Sequence, residues 1–184
     1  MSDQNSEIFQ DSTKRAALKD AQHPFALVLG CSDSRVAAEI IFDQGLGELF
    51  VVRTAGHVVD AGVLGSIEFG VEILGIPLVV VLGHDSCGAV KAAMDSVSTG
   101  DLPGGYIRDI VEHVLPSNVA IGAGDGQSTP ERVGAEHVMQ TARLLNDRSR
   151  IVNDAIDSGR LAIVGATYRL AEGNVHVEGT LGEV

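Results

Sequence analysis

The 184-residue chain has no tryptophan, and aromatic residues make up only 4% of it. That excludes a platform of flat rings on which single-stranded nucleic acid could stack. Basic residues are scarce as well, with 13 Lys and Arg against 25 Asp and Glu, a formal charge of -12. Phosphate backbones and anionic lipid headgroups repel such a surface, so neither nucleic acid nor membrane is expected as a partner. The most apolar run, residues 77–83, falls far short of the roughly 20 residues that span a bilayer. Residues 1–20 are polar and mixed in charge, without the apolar stretch of a secretory signal, so the expected location is the cytoplasm. Cys31 and Cys87 are the only cysteines. Two are too few for a disulfide framework, and in a reducing compartment thiols serve metal binding or catalysis more often than crosslinking.

What is present suits an ordinary globular protein: 45% hydrophobic residues, 21% charged and 22 glycines. The length predicts a single domain over residues 1–184. Four short runs rich in Val, Ile, Leu and Phe, at 25–29, 49–52, 78–82 and 161–164, read as buried strands. None alternates strictly between apolar and polar, so both faces of the sheet should be covered, as in a parallel sheet flanked by helices. Residues 60–74 carry Val63, Leu64, Ile67, Val71 and Leu74 at helical spacing, and Gly62, Gly65 and Gly70 predict close packing. A longer helix is expected from the capping box at Ser128-Thr129-Pro130-Glu131 to about Gly159, with Val138, Ala142, Leu145, Val152 and Ile156 inward. Glycine-rich stretches at 102–106 and 122–128 read as loops. The alternation predicts an α/β fold with a mostly parallel central sheet, and ligands beyond the carboxyl ends of its strands.

Two polar clusters occupy that position. Gly30-Cys31-Ser32-Asp33-Ser34-Arg35 follows the first apolar run, and Gly83-His84-Asp85-Ser86-Cys87-Gly88 follows the third. Cys31, Asp33, His84 and Cys87 combine two thiolates, an imidazole and a carboxylate, a set suited to tetrahedral zinc rather than to Mg2+ or Ca2+. Each residue also has a plain role open to it: a buried hydrophobe for either Cys, a helix cap for Asp33, a structural His. A Cys31–Cys87 disulfide is a further option. Asp85 is expected to cap the next helix, His113 and His137 to face solvent on helices, and His57 to lie near the cleft as a candidate proton shuttle.

The two clusters together resemble the zinc-site signature of the β-class carbonic anhydrases. Phe50-Val51-Val52-Arg53-Thr54-Ala55-Gly56, Ser66-Ile67-Glu68-Phe69 and the strand entering Gly83-His84 are similar to that family in order and spacing. The resemblance implies zinc-dependent interconversion of CO2 and bicarbonate by a homodimer or homotetramer, with one Zn2+ per chain. It implies zinc held by Cys31, His84 and Cys87, with Asp33 either binding the metal or pairing with Arg35 to orient the water there. Gln22 and Phe50 match positions that shape the substrate pocket across a subunit interface, and Gly88 is counted with them. Residues 1–21 lack the family's aromatic arm pattern, which predicts a shortened N-terminal arm. An inhibitory bicarbonate site known in some members matches at Arg53 and Tyr168, but Val28 stands where its Trp would be. Phe69 stands where Tyr is frequent. Rival readings are a CS2 or COS hydrolase with the same site, a catalytically silent zinc-binding assembly domain in which Asp33 fills the fourth position, and a thiol redox protein, for which the Cys-x-x-Cys spacing is absent.

Overall fold

Val, Ile and Leu favour extended backbone where a pleated surface can bury them. In the computed structural model, which describes residues 12–122 and 128–183, the four apolar runs become parallel strands: β1 (Ala26–Cys31), β2 (Leu49–Thr54), β3 (Leu78–His84) and β4 (Ala162–Arg169). A fifth strand, β5 (Asn174–Leu181), was not among those expected and runs antiparallel to β4. Its apolar residues only alternate and much of it is exposed, as befits an edge. The order across the sheet is β2-β1-β3-β4-β5.

The helices are α1 (Ser12–Ala17), α2 (Ala38–Ile41), α3 (Ala61–Glu68), α4 (Gly88–Thr99), α5 (Ile107–Ala120), α6 (Pro130–Arg148) and α7 (Arg150–Asp157). Two expected helices are each divided. Asp60 caps α3, its Oδ1 accepting from the Val63 N–H at 2.8 Å, but after Glu68 the backbone widens into a π-type turn over Phe69–Ile73. Of the three glycines there, Gly70 fits the close-packing expectation, since a Cβ would meet Leu27 Cδ1 at 2.8 Å; Gly65 faces open space and Gly62 has near it only Asp60 Oδ1. The helix expected over 128–159 breaks at Ser149, whose backbone is extended and whose Oγ accepts from Val152 N and donates to Glu68 Oε1 at 2.7 Å. Its first cap is Thr129 rather than Ser128, with Pro130 as the opening helical residue. The expected loop at 122–128 lies largely outside the described residues, as does most of the N-terminal arm.

Leu27, Leu29, Val79, Val81 and Ile163 fill one face of the sheet against Val138, Ala142 and Leu145 of α6 and Val63 and Ile67 of α3. Gly83 and Gly165 permit that approach, because a Cβ at either would come within 2.5 Å of Val138 Cγ2 or Met139 Sδ. Val28, Val80, Leu82 and Ala166 pack on the opposite face with Ala38 and Phe42. The chain leaves β1 for β2 on one side and then crosses to β3 on the other. The point where the order reverses, between the carboxyl ends of β1 and β3, is where open α/β sheets leave a crevice.

Candidate metal centre

Cys31 is the last residue of β1 and His84 the last of β3, so parallel pairing of these strands sets them side by side. A turn through Ser86, with φ at +54°, brings Cys87 back to cap α4. The Sγ atoms of both cysteines and a ring nitrogen of His84 lie within 4.8 Å of one another, and all three residues are buried. Both thiols are free.

The donor set fits a metal. His84 Nδ1 lies 2.7 Å from the Asp85 carbonyl oxygen, which can only accept, so Nδ1 carries the proton and Nε2 offers a lone pair. That Nε2 is buried without a hydrogen-bond partner, an arrangement costly in itself and satisfied by a Lewis acid. Two thiolates and an imidazole suit tetrahedral zinc with one position left open. A hydrogen bond from the Cys87 thiol draws the Cys31 pKa down to about 4 against its burial, aided by His84 and by N–H groups that include Gly56. The same bond, with burial, pushes Cys87 up, while the N–H groups of Val90 and Ala89 at the start of α4 oppose the rise. Burial resists protonation of His84, but the neighbouring Cys31 outweighs it and the net shift is upward.

Asp33 lies at the rim. Its Oδ1 accepts from Arg35 N and Nε, each at 2.9 Å, and its Oδ2 accepts from Arg35 Nη2 at 2.7 Å. These bonds hold its carboxyl well below the usual carboxylate range. Its Oδ2 lies 3.9 Å from His84 Nε2, beside the cluster of Cys31, His84 and Cys87, while both of its oxygens are engaged by Arg35. Arg53, at the end of β2, donates to the carbonyl oxygens of Cys31 at 2.9 Å and Asp33 at 2.5 Å and so braces the loop between them.

The remaining predicted site residues are spread differently. Gly88 is the first residue of α4 and is exposed beside Cys87, next to a cavity of about 430 Å3 shared with Met94 and Pro130. Phe50 pairs in register with Leu27 near the other end of the strands, four residues and so ~13 Å from Cys31, and stacks on Phe69 with centroids 6.4 Å apart. Gln22 precedes β1 and is exposed. Neither Gln22 nor Phe50 belongs to the metal cluster of its own chain. Two expectations are corrected: Asp85 does not cap α4, because its Oδ1 accepts from the Leu170 N–H at 3.2 Å and Cys87 takes the cap, and His137 is buried rather than solvent-facing. His57 is buried too, with neither ring nitrogen hydrogen-bonded, and burial pushes its pKa well down. Sequence reasoning missed the Gly56 N–H, which donates to Cys31 Sγ at 3.3 Å. The only hint was the Thr54-Ala55-Gly56 turn directly after a strand.

A family model described as carbonic anhydrase matches residues 26–175. "Carbonic anhydrase 2" of Mycobacterium tuberculosis is 53% identical over 175 residues, covering 95% of this chain and 84% of that protein. The carbonic anhydrase of Mycolicibacterium smegmatis matches with the same identity and coverage. Among solved structures, the Coccomyxa β-carbonic anhydrase in complex with acetazolamide aligns with a TM-score of 0.77 and 26% identity, over 91% of this chain and 77% of that one. The β-carbonic anhydrase CcaA shares the fold at a TM-score of 0.83 and 24% identity, over 94% and 83% of the two chains.

Proposed function

Because the chain belongs to the β-carbonic anhydrase family and is a zinc-dependent carbonic anhydrase, interconverting CO2 and bicarbonate, we propose how its own residues divide that work. Cys31, His84 and Cys87 hold one zinc per chain, the reading carried by the buried, unpartnered Nε2 of His84 between two thiols. Zinc bound there supplies Lewis acidity, which makes water a nucleophile near neutral pH. Asp33 is the catalytic carboxylate. Fixed by Arg35 and kept ionised, it accepts a hydrogen bond from the attacking water and holds its lone pair toward CO2. Gly88, next to Cys87 with open space around its Cα, leaves room for the small substrate, and the side-chain amide of Gln22 donates to an oxygen of bicarbonate.

The pocket is completed by a second copy. Phe50 pairs with Leu27, toward the end of β1 away from its own metal cluster, and Gln22 precedes the same end of that strand in the chain, so in this reading they serve the partner's pocket. Phe69 and Ile73, one turn apart, are 45% and 66% exposed and supply apolar surface for such a contact. We place the whole chain in one catalytic domain in the cytoplasm, where the two thiols stay reduced and able to bind metal. Among the described residues no helix is long and apolar enough to cross a membrane.

Stopped-flow CO2 hydration with zinc measured in parallel tests this assignment. Arg35→Ala should keep its zinc and lose about 10- to 100-fold in kcat/KM, the scale typical of groups that orient a metal site's reactive partners, whereas Cys87→Ser should lose most of the zinc itself. Stoichiometric zinc in Cys87→Ser, or undiminished turnover in Arg35→Ala, would refute the corresponding role.

A further inference from the structure

His137 lies on α6, which supplies none of the proposed metal ligands, yet its ring is only 4% exposed and both of its nitrogens are engaged. Nε2 is 2.9 Å from the carbonyl oxygen of Gly56, which can only accept, so Nε2 carries the proton. Nδ1 is 3.1 Å from Ser117 Oγ. Burial lowers the His137 pKa, and in the neutral ring Nδ1 accepts from the Ser117 hydroxyl. The single hydroxyl hydrogen is shared with a second acceptor, Gln140 Oε1, at 3.0 Å. The His57 ring lies against His137 with centroids 4.5 Å apart and fixes its plane.

Gly56 joins this buried imidazole to the metal site. Its carbonyl accepts from His137 on one side of the Cα, and its N–H donates to Cys31 Sγ at 3.3 Å on the other. Its backbone is left-handed, with φ at 64° and ψ at 22°, and a Cβ there would stand 2.6 Å from that of Ala89. Without a side chain Gly56 has wide torsional freedom, so the aim of its N–H depends on what anchors its carbonyl. The anchor is His137.

We propose that His137 is a positioning residue for the Cys31 thiolate, acting through Gly56: its Nε2–H holds the Gly56 carbonyl, Ser117 Oγ supports the other side of the ring, and the Gly56 N–H is thereby aimed at the sulfur. This rests on the reading of Cys31 as a zinc ligand. A hydrogen bond to the ligand sulfur stabilises the thiolate over the thiol and restrains its direction, so losing the anchor loosens the metal and leaves the sulfur richer in electrons. Outer partners of metal ligands carry effects of about 10- to 100-fold in metal affinity.

The test compares wild type, His137→Leu, His137→Gln and Ser117→Ala in two measurements: the rate at which the zinc-loaded protein gives up zinc to excess chelator, and the thiolate-to-metal charge-transfer band of the cobalt(II) form. His137→Leu should release zinc at least ~10-fold faster, with the band moved to longer wavelength. His137→Gln keeps an N–H donor and should restore much of both. Ser117→Ala, which removes the support at Nδ1 but keeps the Nε2–H bond to Gly56, should change both in the same direction by less. If His137→Leu does not fold, His137→Phe, which keeps a ring and removes the donor, takes its place, and wild-type values in that variant overturn the proposal. Equal effects of Gln and Leu at position 137 would reduce His137 to a packing residue and overturn it as well. A wild-type protein that takes up no zinc would instead overturn the ligand assignment.

Discussion

Cys31 and Cys87 share one proton in the metal-free site, with the Cys87 thiol donating and the Cys31 sulfur accepting, and this fixes what a metal must displace. Near pH 7 Cys31 is already a thiolate and Cys87 keeps its proton. Zinc binding therefore releases about one proton, that of Cys87. The sign follows: affinity rises with pH until the raised groups have titrated and falls as pH drops through their range. Competition titrations with a zinc-sensitive dye between pH 6 and 8 should give log K climbing by about one per pH unit, and a flat profile would contradict the shared proton. These residues were legible in the sequence because each ligand type stands directly after an apolar strand. His137 was not, since a polar residue on an amphipathic helix reads as wet, and its partners Ser117 and Gly56 come from distant segments. Asp85 was misread for a similar reason: the Leu170 N–H it accepts from stands just past β4, in a distant segment.

The central elements were legible because both faces of β1 and β3 are buried and their sequences run apolar without a break. β5 escaped because an edge strand with one wet face carries little apolar signal. The division at Ser149 escaped because the inward stripe stays in helical phase across it, while the break is set by a cap and by the Glu68 carboxylate on another segment. The contact between α6 and the sheet depends on absent side chains. Gly83→Ala would drive a methyl against Val138, and overpacking of this kind costs about 1–3 kcal/mol. Because Gly83 precedes His84, the variant should melt at a lower temperature and also bind zinc less tightly. Thermal unfolding with and without zinc checks both, and the pairing with Val138→Ala should recover part of the loss.

Over the whole molecule, function as proposed requires a second copy. A glutamate at position 73 would place a charge in an apolar contact where it has no partner. Ile73→Glu should therefore shift the protein to monomer in light scattering and cut CO2 hydration, while each chain keeps its zinc; an active monomer would remove Gln22 and Phe50 from the pocket. The crossing from β2 over β1 to β3 carries one more consequence, for the order of events in folding. The complete ligand set comes together only when two strands far apart in the chain have paired, and contacts of that kind form late and slowly. Zinc held as proposed by all three residues would require β1 and β3 to be joined, and would therefore stabilise the paired sheet. On that reading the metal acts as a latch: unfolding that separates the two strands must first give up the zinc.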